Sequence, residues 1–429
     1  MRTERVAVLW VISAAVLGLP SSAARCTEAA SPAPDGQPAE RTLEEKDFCF
    51  DGEYGSQGAT VERSGHNHFR ILLSHAPKNE TWSNMLQFEL KVGGRVDLLQ
   101  LDVDGPPGYS YHDYFCSWSY DKETWTAARW KRTASGGYRL VFNDLNTEVL
   151  YLGHQVPISY RKIEQLAATW AKHPHVKVHE IGRSIQDRAI CRIEVSDFAS
   201  EHKEQQKWVH YFANQHTGEC NAIWRMVGMI EWLLSDQGRD ARRRSICHFV
   251  LMMSPDGAPN GWHRVNAEGI DMNRSYSPAG SEKCRAHEAR LAQSDLERLM
   301  KSPAPVTTVW SMHTWSGSRV EPIVLCGPEF GTHVGTFEDL AEAIEKHDTH
   351  DRIAPLKRAK NGKDGIKSTW HVGPAVQFDI TGFLIEGGGH ALTREECQMG
   401  GAVLIEGLMD FYKGIKPQAF RQESKNAAP

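Results

Sequence analysis

The sequence predicts a two-part protein: an α/β fold with a mixed, mostly parallel twisted sheet and helices on both faces, preceded by a small all-β sandwich domain. Three observations predict it. The chain has 429 residues, more than a single core commonly serves. Between residues 48 and 156, short runs that alternate apolar and polar residues are bounded by Gly, Pro, Asn and Asp, and helical periodicity is weak, the pattern of a β-sandwich. After Tyr160, apolar strand-like runs alternate with amphipathic helices, which implies a sheet buried on both sides.

Taken in order, residues 1–24 read as a secretory signal: a basic start at Met1 to Arg5, an apolar run from Val6 to Leu19, then Pro20 and small residues,. That run is shorter than the roughly 20 residues of a membrane-spanning helix. The expectation is an exported protein, periplasmic or extracellular, with no stable membrane insertion. Residues 25–47, rich in Ala, Pro, Ser and Glu, read as a flexible linker. In the β domain, 48–156, strands are expected at 68–73, 85–90, 138–142 and 148–152. Its aromatics, Trp118, Tyr120, Trp125 and Trp130 among them, are expected to pack.

The second domain, 157–416, should hold strands at 189–195, 208–213, 247–253, 306–312, 322–325 and 383–386. Helices are expected at 163–171, 219–235, 284–301, 337–347 and 393–412. The helix at 219–235 is the strongest, with Ile223, Met226, Val227, Ile230 and Leu234 on one stripe,. Residues 417–429 read as a disordered tail.

Composition excludes some functions. Net charge is -5, so nothing points to a general affinity for nucleic acid or anionic membranes. The one dense basic run, Arg239 to Arg244, reads as cations near the carbonyl end of the preceding helix. The nine cysteines include no CxxC pair, which excludes a cysteine-rich zinc finger. Export permits one to three disulfides and the odd count leaves a thiol over. Cys220 is expected to pack beside the site rather than react.

The chemistry concentrates at strand ends. His216 and Glu219, in Asn214-Gln-His-Thr-Gly-Glu219, follow an apolar strand and precede the strongest helix. Both heads can turn toward one point, and an open zinc site needs such a pair and one more ligand. His313, in Ser311-Met-His-Thr-Trp-Ser-Gly317, again ends an apolar strand and is the third candidate. Ligand sites in such sheets lie at the carboxyl ends of strands.

Further along come Ser254-Pro-Asp-Gly257, Gly269-Ile-Asp-Met-Asn-Arg274 and Leu384-Ile-Glu-Gly-Gly388. With HTGE and the Met-His pair, these segments in this order resemble the zinc metallocarboxypeptidase family. The β-sandwich and the following YLGHQVPISYRKIEQL resemble the layout of its cytosolic carboxypeptidase subgroup. The resemblance implies a carboxypeptidase-like α/β fold and one zinc ion (Zn2+) per chain, held by His216, Glu219 and His313. It makes Asp271 the partner of the first histidine, Arg264 the oxyanion arginine and Glu386 the catalytic glutamate. Asn273 and Arg274 become the pair that grips a substrate's terminal carboxylate.

The function implied is hydrolysis of the C-terminal amide bond of peptides or proteins by a zinc-activated water, with Glu386 as general base. Two alternatives keep the same site: action on peptidoglycan stem peptides, and an inactive zinc-site binding protein. The pattern departs from the family at one point. No tyrosine lies between Leu356 and Glu386, where the family has one that closes over substrate, and His371 is the candidate in its place. Lys367, His371 and Gln377 are candidates for the specificity pocket, the first two favouring an acidic terminal residue.

Overall fold

A computed structural model describes residues 40–106, 116–277, 286–315, 321–327, 334–351, 356–361, 366–388, 392–414 and 417. The export signal at 1–24, residues 25–39 of the expected linker and residues 418–429 of the expected tail lie outside these. The linker expectation is corrected at its other end. Leu43 is fully buried in the β-domain core, and Glu45–Asp47 forms a short 3-10 helix. One apolar residue with a partner surface is enough to order a polar stretch.

Two strands of 17 residues, Phe88–Asp104 and Tyr138–His154, carry the N-terminal domain. They pair antiparallel along most of their length, with a register shift between Thr147 and Val149. His68–Leu72 runs parallel beside Gln100–Asp104, while Phe48–Cys49 pairs with Glu89 and Leu90 at the other end. Phe69, Leu101 and Leu140 from one half join Phe48, Leu90 and Leu150 from the other in a single apolar core. These strands belong to one eight-stranded sheet, whose alternation turns one set of side chains into that core,.

The second sheet has eight strands among the described residues. Their order is Val176–Arg183, Ala189–Val195, Ser245–Val250, Trp208–Asn214, Thr308–Trp315, Thr381–Gly388, Glu321–Cys326, Leu356–Asn361. The four central strands are mutually parallel, and antiparallel pairings join them to the flanking strands. Each central strand is apolar on both faces. Trp208 and Phe212 point into one core with helices Cys220–Leu234, Phe337–His347 and Arg394–Phe411. Val209, Tyr211 and Ala213 point into the other, with helix His287–Met300. The mixed, mostly parallel sheet with helices on both faces is therefore present, behind an N-terminal β domain. Both lie within one compact unit, Glu40–Pro429.

The basic run forms its own six-residue helix, Arg239–Arg244. Arg242 is buried and donates to the carbonyls of Leu233 and Ser235 at the end of the preceding helix, which otherwise lack partners. Among the described residues the seven cysteines are free thiols. No described helix is long and apolar enough to cross a membrane.

Candidate metal centre

Three strand ends converge on one point. The strand Trp208–Asn214 ends two residues before His216, and Glu219 directly precedes the helix Cys220–Leu234. His313 lies near the end of the adjacent strand Thr308–Trp315, and Glu386 sits opposite it in register on Thr381–Gly388. Register partners in a parallel pair share a face, so topology alone places Glu386 beside His313.

The turn carrying His216 and Glu219 is held from several sides. Glu219 N–H donates to the His216 carbonyl (3.1 Å) and Gly218 N–H to the His263 carbonyl (2.8 Å). The Thr217 hydroxyl donates to the Ser254 carbonyl at 2.5 Å. Asp256, in the SPDG turn, is fully buried and accepts from Ser184 Oγ (2.6 Å) and Arg188 Nη1 (2.8 Å). The turn thus rests on a fixed neighbour.

His216, Glu219 and His313 are all buried, and one ligand atom from each lies within 4.8 Å of the others. Glu219 Oε1 is 2.8 Å from His216 Nδ1, and Oε2 is 2.7 Å from His313 Nδ1. Both rings therefore present Nδ1 to the centre. Their far nitrogens are engaged outside it: His216 Nε2 with Asp271 Oδ1 at 3.1 Å, and His313 Nε2 with Ser311 Oγ at 2.8 Å. Ser311 in turn donates to Gln215 Oε1 at 2.7 Å. Imidazoles oriented by such outer partners, with one carboxylate, form the donor set of a three-ligand zinc site. The residues fit the ion.

Electrostatics agree with the geometry. Burial alone would raise the Glu219 carboxyl, but the flanking His216 and His313 hold it well below its usual range. Burial also opposes ionisation of Asp271, and again its partners, His216 and then Arg264, prevail and lower it. Glu386 goes the other way. Burial raises it to about 7, against the lowering pull of His313. A carboxyl poised near neutrality can both accept and return a proton. Cys220 is buried and its thiol pushed up to about 12, so it packs beside the site as a protonated group.

The remaining candidates fall around the triad. Arg264 Nε donates to Asp271 Oδ2 at 2.7 Å, and its Nη1 lies 3.9 Å from Glu219 Oε1. Asn273 sits in the turn Met272–Arg274. Its Nδ2 is 3.0 Å from His313 Nε2, and its Oδ1 accepts from Trp370 N–H at 2.9 Å. Arg274 is exposed, with Nη1 on the Asn273 carbonyl. His371 is buried next to Trp370, and desolvation, then the charges of His313 and Arg274, holds it down at about 4. Its ring is neutral at pH 7.

The specificity candidates separate. Lys367 is exposed. Gln377 is engaged, accepting from Tyr276 Oη at 2.5 Å and donating to Glu297 at 3.1 Å. The sequence reading gave no role to Ser311 or Gln215. Ser311 was the findable one, two residues from His313 on the same strand and so on its face.

A buried His-Glu-His centre lies at the carboxyl edge of the parallel strands, with a carboxyl of raised pKa next to it, in an α/β domain. Residues 163–307 match the family model described as zinc carboxypeptidase. Cytosolic carboxypeptidase 2 of Danio rerio is 29% identical over 137 residues, which is 30% of this chain and 19% of that protein. The chain thus spans under a fifth of that relative's length. Among solved structures, a metallo-carboxypeptidase from Burkholderia cenocepacia superposes with a TM-score of 0.69 at 16% identity, covering 85% of this chain and 98% of that one. A Pseudomonas aeruginosa metallo-carboxypeptidase in complex with (2-guanidinoethylmercapto)succinic acid gives 0.66 at 19% identity, with the same coverage. Those likenesses are of fold. Residues 163–307 are thus similar to the zinc carboxypeptidase family, and His216, Glu219 and His313 form a triad that fits a zinc ion.

Proposed function

We propose that the chain is an exported zinc carboxypeptidase that removes C-terminal residues from peptides. The observation that carries the reading is the register of Glu386 against His313, which sets a carboxyl of raised pKa beside the buried triad. A zinc ion held by His216, Glu219 and His313 would supply Lewis-acid polarisation of the scissile carbonyl and acidify a water. Glu386 takes the proton of the attacking water and delivers it to the leaving amine. Arg264 donates to the oxygen on which negative charge develops. Asp271 keeps both His216 and Arg264 in place.

Arg274 and Asn273 make the reading an exopeptidase. An exposed guanidinium fork matches the two oxygens of a free terminal carboxylate, and Asn273 Nδ2 can add a third donor. His371, neutral and donor-capable, is proposed to act where the family's tyrosine closes over substrate. Export rests on the order of basic, apolar and small residues in 1–24, and implies substrates in a periplasm or outside the cell.

The test is a mixed peptide library incubated with zinc-loaded protein and read by mass spectrometry. Loss of single residues from free-acid peptides, with the matching C-terminal amides left intact, is the expected result. Internal cleavage, or no cleavage of any peptide, overturns the proposal. Arg274→Ala should raise KM by roughly 10- to 100-fold, since a charged hydrogen bond contributes about 1.5–3 kcal/mol.

A further inference from the structure

We infer that Trp82, a residue of the N-terminal β domain, is a positioning residue for Arg264, so that the β domain completes the reactive site. The inference rests on the role proposed above for Arg264. Trp82 lies in the strand Asn79–Ser83, and its ring covers the Arg264 guanidinium, with Cζ 4.5 Å from the ring centroid. Asp271 binds the guanidinium at Nε at 2.7 Å, and Nη1 lies 3.9 Å from Glu219 Oε1. An aromatic face over the guanidinium carbon opposes tilting of the planar group out of that arrangement, and the attraction is strengthened where water is excluded. The Arg264 side chain is 16% exposed. Held this way, Nη1 stands 3.5 Å from His216 Nδ1, at the border of the metal centre, where a developing oxyanion would need it.

Trp82 is itself anchored. It stacks on His263 with centroids 6.4 Å apart and an interplanar angle of 27°. The backbone on either side locks the β domain to the segment carrying Arg264: Asn84 bridges Trp262, Met85 N–H donates to the Gly261 carbonyl at 2.7 Å, and Asn79 Nδ2 donates to the Gly269 carbonyl at 2.8 Å. Gly261 (φ +72°) and Gly269 (φ +75°) bracket that segment, and a Cβ on either would run into β-domain backbone, Gly55 O at 2.6 Å and Pro77 O at 2.5 Å. Two left-handed glycines thus let the β domain approach at both ends of the Arg264 loop. The joint is built around that arginine.

The experiment uses the full chain, zinc-loaded, with the free-acid peptide that wild type cleaves fastest in the library. Trp82→Leu should lower kcat about tenfold, as loss of a desolvated cation–π contact implies, with KM within about threefold and zinc content unchanged. Trp82→Phe should fall between the two, and it carries the test alone if the leucine variant does not fold. In an Arg264→Ala background, Trp82→Leu should add less than about twofold, because coupled residues are not additive. A readout free of turnover is the Arg264 Nε–Hε resonance, assigned by its loss in Arg264→Lys: the indole ring current should shift it, and Trp82→Leu should return it to the ordinary arginine position. Unchanged kcat in Trp82→Leu or Trp82→Phe, a loss equal in both backgrounds, or an unmoved resonance overturns the inference. If Arg264→Ala lowers kcat and Trp82→Leu does not, only this inference fails. If Arg264→Ala has no effect on kcat, the role of Arg264 fails first.

Discussion

Asp271 spends its two oxygens on two functional side chains, His216 through Oδ1 and Arg264 through Oδ2. That fixes which imidazole nitrogen faces the centre and gives His216 a more basic Nδ1. Asp271→Ala should weaken zinc binding by roughly 10- to 100-fold, measured by competition with a chelator, and it should release Arg264 as well. Zinc affinity equal to wild type would remove Asp271 from this account. At this scale much was legible in the sequence. His216, Glu219 and His313 stand out because each follows an apolar run at a strand end, and motif order supplies Asp271, Asn273 and Glu386. Trp82 was not legible. It is 182 residues from Arg264 (264 minus 82), in a domain whose aromatics read as core, and only the docking of two domains brings the ring to the guanidinium. Gln377 was legible as polar and near the site, but its commitment to Tyr276 and Glu297 is a tertiary fact.

Helix Cys220–Leu234 sets the position of Glu219, and its seat depends on small residues. It crosses helix Arg394–Phe411 where Gly228 meets the backbone of Gln398 and Gly401 meets that of Arg225. A Cβ at Gly228 would lie 2.0 Å from the Gln398 carbonyl oxygen, a clash with backbone, which cannot give as a side-chain tip can. Gly228→Ala should therefore cost about 1–3 kcal/mol, visible as a lower Tm in thermal unfolding. An unchanged or higher Tm would mean that the crossing has slack. The sequence reading placed this helix within one residue at each end, because its apolar stripe is long and unbroken, and it placed Ala189–Val195 and Phe337–His347 with the observed bounds. The weakest reading fell on Leu356–Asn361 and Val176–Arg183, two strands not foreseen. Leu356–Asn361 reads LKRAKN, and an edge strand of the sheet can carry charge on an open side. Val176–Arg183 mixes buried and half-exposed positions at the opposite edge. Strand 247–253 was expected to run three residues too far, since Leu251 to Met253 are as apolar as the strand but already lead into the SPDG turn.

At the scale of the whole molecule, the central sheet buries histidines that must stay neutral. Burial holds His210 at about 3, and burial with the neighbouring Arg192 holds His248 at about 3. In the unfolded chain both titrate near 6.5. Because the folded pKa is depressed, neither costs stability above about 6.5. As pH falls below that, the unfolded state takes up protons the folded state cannot, and stability is lost down to about pH 3. Each such histidine should contribute a slope approaching about 1.4 kcal/mol per pH unit in that window. Urea unfolding of wild type and His210→Gln between pH 7 and 4 checks this, with a shallower slope expected for the variant. Parallel curves would show that His210 is not buried neutral. The same packing that excludes water from the sheet raises Glu386 at its edge, and the β domain reaches the site through Trp82 and its anchoring backbone. The most direct test of the central claim is single-turnover hydrolysis of a free-acid peptide by wild type and Glu386→Gln at matched zinc content. The account predicts one zinc per chain in both, with the rate in Glu386→Gln lower by about 10²- to 10⁴-fold, the contribution of a positioned general base. Equal rates at equal zinc content would contradict it.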